Sequence, residues 1–112
     1  MSMKLTSEEQ AWLGAYRQAV AQQFPGLIRQ IIIFGSKARG TATEDSDLDL
    51  LVVITGGDWR LKDAVTQPGY SLAIDKDVVP SIMVYTEEEW EQRRNDEAPL
   101  WQMVNRDGVV VG

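Results

Sequence analysis

The sequence predicts an α+β fold, in which a mixed β-sheet packs on helices in two layers. Two apolar, β-branched runs at residues 31–34 and 48–54 have the length and composition of buried strands. Apolar residues before Pro25 instead recur at helical spacing, which indicates a helix packed on one face. Because 112 residues suffice for one hydrophobic core, we assign residues 1–112 to a single domain.

The first helix is expected to begin after Thr6. Thr6 and Glu9 have the spacing of a capping box, and Pro25-Gly26 ends the helix. Trp12 and Tyr16 could offer a stacking platform for a base, but their helical spacing favours a place in the core. The other apolar residues at this spacing are Leu13, Ala19, Val20 and Phe24.

Two strands and a short helix are expected in the middle of the chain. The strands cover about residues 27–34 and 47–54, and the short helix lies between them at about residues 36–40. Two glycines follow the second strand, after which Asp58 can cap a helix that starts at Trp59.

Prolines limit the elements that follow. Pro68-Gly69 should break or kink the helix that starts at Trp59, because proline lacks a backbone N–H. A third strand at residues 78–85 contains Pro80, so we expect it at an edge of the sheet or entering with a bulge. The remaining elements are a helix opened by the capping pattern of Thr86 and Glu89, a helix over residues 98–106 and a short strand over residues 109–111.

The composition excludes several kinds of protein and of site. The chain has no cysteine, hence no disulfide framework, and no histidine, hence no Ser-His-Asp or Cys-His catalysis. A net charge of −6 argues against broad nucleic-acid binding. No apolar run approaches the ~20 residues of a membrane span, and no secretory pattern opens the chain, so we expect a cytoplasmic protein.

The most informative pattern is a glycine-serine pair followed ten residues later by two aspartates. Gly35 lets a backbone approach a ligand closely, and Ser36 can cap the next helix and offer its hydroxyl to phosphate oxygens. Asp47 and Asp49 stand at i and i+2 of the next strand, so both carboxylates leave the same face. Two carboxylates on one face suit Mg²⁺ that carries a nucleoside triphosphate.

Each half of this pattern has a simpler interpretation. Gly35-Ser36 alone could be an ordinary strand-to-helix turn, and Asp47 alone could close the polar turn before it. Asp49 is harder to explain in this way, because it lies inside an apolar strand, where an ionised carboxylate is costly unless it is paired or bound to metal.

Gly35-Ser36, ten residues and then Asp47-x-Asp49 resembles the signature of the polymerase-β-like nucleotidyltransferases. The segments at residues 35–40 and 46–52 resemble the minimal nucleotidyltransferases of bacteria and archaea, which are short catalytic domains. Weaker similarity extends the resemblance to residues 84–90 and 104–111, and so over most of the chain.

The resemblance implies a nucleotidyltransferase fold like the palm of polymerase β, and a metal-dependent transfer of a nucleoside monophosphate from an NTP to a hydroxyl. ATP is the expected donor. It implies that Asp47 and Asp49 hold Mg²⁺, while Gly35 and Ser36 position the triphosphate. Such domains are often the antitoxin of a helical HEPN-family toxin, which implies a tyrosine hydroxyl on that toxin as acceptor.

The pattern leaves two interpretations open for the cations that follow Ser36. Lys37 and Arg39 could neutralise the β- and γ-phosphates or be ordinary solvated cations. Members of the superfamily often carry a third carboxylate on the third strand, and the matching position here is Ser81. Neither Asp75 nor Asp77 is a convincing substitute, and serine cannot act as an anionic metal ligand.

Two rival functions remain open at this point. A catalytically weak or inactive nucleotidyltransferase-like module could neutralise its partner by contact, and Ser81 motivates that alternative. A small-molecule enzyme, such as an antibiotic nucleotidyltransferase, normally carries an additional substrate domain, for which we expect 112 residues to be too few. A homo-oligomer could supply the missing surface.

Overall fold

A computed structural model describes residues 3–43 and 46–112. No helix within these two ranges is both long and apolar enough to span a membrane. In chain order, the elements are α1 (Ser7–Gln23), β1 (Ile28–Phe34), α2 (Gly35–Arg39), β2 (Leu48–Ile54), α3 (Trp59–Ala73), β3 (Pro80–Thr86), α4 (Glu87–Asn95), α5 (Pro99–Asp107) and β4 (Val109–Val110).

The strands form one mixed sheet in the order β3-β2-β1-β4. Strand β1 is antiparallel to β2 and β4, whereas β2 is parallel to β3. The predicted α+β class with a mixed sheet is therefore confirmed. Pro80 is the first residue of β3, and β3 is an edge strand, as expected for a residue that cannot donate to a ladder.

Helices contact both faces of the sheet. The larger core lies between one face and the helices α1 and α3, and the even-numbered residues of β2 from Leu48 to Ile54 point into it. A smaller core on the other face joins Leu51 and Val53 to Val104 of α5. This second core adds helices α4 and α5 to the two layers expected from the sequence.

Helix α3 continues through Pro68-Gly69, so the helix does not break there, while a kink at Pro68 stays a prediction. The physical reason lies on α1. The indole of Trp12 donates to the Gly69 carbonyl at 2.8 Å, and the hydroxyl of Tyr16 donates to the Val65 carbonyl at 2.9 Å. These buried bonds hold α3 against α1 on either side of the proline, and such tertiary packing favours a continuous helix.

Trp12 and Tyr16 belong to the core, as their spacing favoured. They are 4% and 0% exposed, and their rings stack with centroids 5.3 Å apart. Burial raises the pKa of the Tyr16 hydroxyl well above its usual value, which keeps it protonated as a donor. A stacking platform for a base is therefore not formed by these two rings.

Candidate active site

The turn at the end of β1 differs in detail from the sequence-based expectation. Helix α2 begins at Gly35, one residue earlier than expected, and Phe34 occupies its N-cap position without a side-chain cap. Ser36 therefore lies inside the first turn, and its expected role as cap is wrong. Gly40 ends the helix in the left-handed conformation, at a φ of +77°.

Gly35 and Asp49 bring the two halves of the motif into contact. Phe34 pairs with Asp49 across the β1–β2 ladder, so the chain reaches Gly35 directly beyond that pair. Gly35 has a φ of +74°, and a Cβ atom placed on it would lie 2.5 Å from Asp49 Oδ2. The Asp49 carboxylate thus fills the space of a side chain at residue 35. Glycine satisfies both the backbone conformation and the close approach.

The two aspartates occupy different environments at the start of β2. Asp47 lies just before the strand and is exposed, whereas Asp49 is within the strand and half-buried. Burial raises the pKa of the Asp49 carboxyl above its usual value, and the charge of Asp47 raises it further, while Arg39 acts in the opposite direction. A cation beside both carboxylates would relieve the same repulsion.

Ser81 lies beside Asp49, at the position where the sequence comparison expected a third carboxylate. The two residues are partners in the parallel β2–β3 ladder, and Phe34 is the partner of Asp49 on the other side. Residues in register on adjacent strands project from the same face, so these three residues form one row across the sheet. Asp75 and Asp77 precede β3 and lie outside this row.

Lys37 is buried and is not a solvated loop cation. Its Nζ lies 3.0 Å from Glu9 Oε2 and 3.2 Å from Glu9 Oε1, so its charge is already compensated. The geometry therefore does not support direct contact of Lys37 with phosphates, and that role stays a prediction. Sequence reasoning missed Glu9 as a neighbour of the site, because its capping pattern indicated only the start of a helix.

Arg39 is the motif cation that acts on the Asp49 carboxylate. Its charge lowers the pKa of Asp49, which places the guanidinium within electrostatic reach of that residue. Its Nη1 also lies 3.8 Å from Asp107 Oδ2, and Asp107 accepts a bond of 3.0 Å from Arg106. Nothing in the sequence pattern indicated Asp107. A role of Arg39 in binding phosphate stays a prediction.

The donors present fit Mg²⁺. This ion is usually held by one or two carboxylates together with substrate phosphates and water. Asp47 and Asp49 supply two carboxylates, and because the pKa of Asp49 is raised by burial and by Asp47, a bound cation would favour its ionised form. Within residues 3–43 and 46–112, no group of three or more Asp, Glu, His or Cys side chains could hold a metal. The remaining ligands would have to come from a nucleotide and water.

A family model for the nucleotidyltransferase domain matches residues 13–99. That range holds most of the chain, including the Gly35-Ser36 turn and both aspartates. The chain belongs to this family. The nucleotidyltransferase fold inferred from the sequence motif is therefore confirmed.

Two relatives named as protein adenylyltransferases match parts of this nucleotidyltransferase domain. A provisionally named one from Methanocaldococcus jannaschii is 45% identical over 47 residues, which are 42% of this chain and 46% of that protein. Protein adenylyltransferase MntA from Thermococcus cleftensis is 40% identical over 52 residues, which are 46% of this chain and 50% of that protein. The chain thus spans about half the length of the relatives that it matches.

A solved structure described as a toxin-antitoxin with AMP-PNP has a similar fold. Its TM-score is 0.57 at 22% identity, over 94% of this chain and 72% of that chain. At this identity the likeness establishes the fold alone.

Proposed function

We propose that this nucleotidyltransferase domain transfers a nucleoside monophosphate from an NTP, with ATP as the expected donor, to a hydroxyl on a partner protein. The contact of Gly35 with the Asp49 carboxylate carries the proposal, because it brings the Gly35-Ser36 turn against one of the two aspartates of the motif. Membership of the family supports the reaction class. The names of two relatives, both protein adenylyltransferases, support a protein acceptor.

In this reaction the acceptor oxygen bonds to the α-phosphorus, while the bond from that phosphorus to the α,β-bridging oxygen breaks and pyrophosphate leaves. Mg²⁺ held by Asp47 and Asp49 would neutralise charge on the phosphates. Gly35 lets the turn approach the Asp49 carboxylate closely, so a triphosphate on the Gly35-Ser36 turn would lie beside that carboxylate, and Arg39 would attract its outer oxygens. Because Ser81 is a poor base at neutral pH, the acceptor proton passes to water.

We also propose that the partner is a toxin and that this chain acts as its antitoxin. The toxin-antitoxin description of a structure with the same fold supports this role. A tyrosine hydroxyl on a helical HEPN-type toxin stays the expected acceptor, on the strength of the sequence resemblance. The net charge of −6 suits a partner with a basic surface.

Ser81 favours a second candidate function, that of a catalytically weak module that neutralises its partner by contact. Ser81 is the β3 partner of Asp49, and the sequence resemblance expects a carboxylate at this position. Loss of that group removes an anionic ligand and a base, but leaves the contact between Gly35 and Asp49 intact.

The test uses ATP labelled at the α-phosphate, together with the protein from the adjacent reading frame. Label should appear on that protein only with Mg²⁺, and Asp47→Asn and Asp49→Asn should abolish the transfer. Asp63→Asn, an exposed change on α3, is the matched control and should transfer normally.

Calorimetry separates the two candidates. Both predict that ATP affinity increases with Mg²⁺, and that the two Asn variants lose this increase. Binding without transfer of label favours the module that acts by contact. Equal ATP affinity with and without Mg²⁺ would contradict the assignment of Asp47 and Asp49.

A further inference from the structure

A buried ion pair joins α1 to α2, the short helix that carries Gly35 and Ser36. The proposed reaction does not use this pair. Glu9 of α1 and Lys37 of α2 are only 3% and 6% exposed. The ammonium group of Lys37 contacts both carboxylate oxygens of Glu9, at 3.0 and 3.2 Å. Burial of two charges is costly, so such a pair calls for a reason other than stability alone.

Helix α2 cannot fix its own position. It has five residues, and no side chain caps its N-terminus. Isolated helices of this length are unstable in water, because few hydrogen bonds offset the cost of nucleation. The position of Gly35 and Ser36 must therefore come from contacts that other parts of the chain make with α2. One such contact is the Lys4 N–H, which donates to the Lys37 carbonyl at 2.8 Å.

Glu9 is itself held firmly. Its carboxylate accepts from the Thr6 N–H at 2.9 Å, and the Thr6 hydroxyl accepts from the Glu9 N–H at 3.1 Å. This capping box fixes the carboxylate to the first turn of α1, and α1 enters the larger core through Trp12 and Leu13. A continuous set of contacts thus runs from the core, through Glu9, to Lys37.

We propose that Glu9 is a positioning residue for the nucleotide site: by holding Lys37, it fixes the Gly35-Ser36 turn against Asp49. The inference rests on the proposed function in taking a nucleotide as the ligand of that turn. It accounts for a lysine inside the motif that pairs with a carboxylate of α1. Glu9 then has two roles: it completes the capping box of α1, and it holds Lys37 of α2.

The chain offers a matched control in its second capping box. Glu89 is the third helical residue of the capping box of α4, as Glu9 is in α1, and it also pairs with a lysine, since Lys62 Nζ lies 2.6 Å from Glu89 Oε1. Helix α2 is not a partner in that pair. Glu9→Gln and Glu89→Gln therefore make the same chemical change at the same helix position, and only Glu9→Gln affects the support of α2.

The first measurement is amide hydrogen exchange in nucleotide-free protein. The Gly40 and Thr41 N–H groups donate to the carbonyls of Lys37 and Ser36, so they report on α2. In Glu9→Gln, their protection should decrease by at least about tenfold more than that of core amides in β2. Glu89→Gln should leave them unchanged. A uniform decrease over the whole chain in Glu9→Gln would overturn the proposal.

The second measurement is calorimetry with Mg·ATP. Glu9→Gln should weaken binding by about tenfold, which is equivalent to about 1.4 kcal/mol, whereas Glu89→Gln should bind as the wild type does. Equal affinity in both variants would overturn the inference. If the wild type itself does not bind Mg·ATP, the proposed function fails, and hydrogen exchange still decides the role of Glu9.

A double variant keeps the test decisive if Glu9→Gln does not fold. Glu9→Leu with Lys37→Met replaces the buried pair by apolar groups, a change that often preserves or increases stability. The double variant should fold, yet show rapid exchange at Gly40 and Thr41. Full protection at these amides would mean that packing positions α2 without the ion pair, and would overturn the proposal.

Discussion

Replacement of Gly35 by alanine tests directly how the site is assembled. Alanine at this position must adopt a φ of +74°, and its Cβ would lie 2.5 Å from Asp49 Oδ2. Neither problem can be relieved without moving the turn or the carboxylate. Gly35→Ala should therefore destabilise the fold and displace Asp49 from the position in which it would bind Mg²⁺.

The magnitude follows from two separate costs. A left-handed conformation costs an L-residue about 1–2 kcal/mol. Overpacking of a filled site adds about 1–3 kcal/mol. We expect the free energy of unfolding to decrease by about 2–5 kcal/mol, which at roughly 4 °C per kcal/mol lowers Tm by about 8–20 °C.

Gly26 provides the control, because it has the same left-handed backbone conformation as Gly35 but no side chain lies close to it. Its φ is +77°, and a Cβ there would meet no atom within 4 Å. Gly26→Ala should cost only the conformational part, about 1–2 kcal/mol. Urea denaturation of both variants, with Mg·ATP calorimetry on the folded proteins, gives the comparison. Only Gly35→Ala should lose Mg²⁺-dependent binding.

A double-mutant cycle isolates the contact itself. In an Asp49→Ala background, the carboxylate is absent, so Gly35→Ala should cost no more than Gly26→Ala. If Gly35→Ala costs no more than Gly26→Ala in the wild-type background as well, the Asp49 carboxylate does not lie against Gly35. The assembly of the site described above would then be wrong.

Three further predictions concern the row of residues and the core. Ser81→Asp should lower Tm in the absence of metal, because Asp49 repels the new carboxylate, and Mg²⁺ should restore Tm. A loss of Tm that Mg²⁺ does not relieve would mean that the new carboxylate is buried and unpaired. Asp49→Asn should raise Tm at pH 7 in a chelating buffer. Because the pKa of Asp49 is raised in the folded state, ionisation of this carboxyl opposes folding. The gain in Tm should therefore shrink as the pH falls through that raised pKa towards the ordinary value of 3.8. A gain in Tm that is constant with pH would refute the reasoning. Tyr16→Phe should cost about 1 kcal/mol in urea denaturation, because it leaves the Val65 carbonyl without the hydroxyl donor, and an unchanged midpoint would contradict that bond.

Much of the fold could be predicted because the decisive signals are local. The capping boxes of Thr6 and Thr86 begin α1 and α4 as expected, since both partners of each box lie within four residues. Pro80 likewise predicted an edge strand from its own chemistry. Helix α3 could not be predicted in the same way. The contacts that hold it are distant in the sequence, such as the bond from Trp12 to the Gly69 carbonyl, 57 residues away.

In the candidate site, too, features with a local sequence signal could be predicted, and features that depend on distant contacts could not. The convergence of Gly35 and Asp49 follows from a strand, a turn and a second strand, all visible in the sequence. The pairing of Lys37 with Glu9 spans 28 residues, and no local pattern distinguishes a buried lysine from a solvated one. The assignment of Asp47 and Asp49 to metal, and of Ser36 and Arg39 to phosphate, stays a prediction.

A carboxylate at residue 81 could both bind metal and accept the proton of the acceptor hydroxyl, whereas Ser81 does neither well. Such a group would add an anionic ligand next to Asp49 and a base for the acceptor hydroxyl. With serine in that row, no carboxylate of β3 adds to the repulsion that Asp47 exerts on Asp49, among the residues that the structure describes. Binding of Mg·ATP should therefore depend on the two aspartates, whereas the rate of transfer should depend on how the acceptor loses its proton. A partner protein that places its own basic side chain beside the acceptor hydroxyl would supply the missing base. Transfer should then be faster to that partner than to free tyrosine.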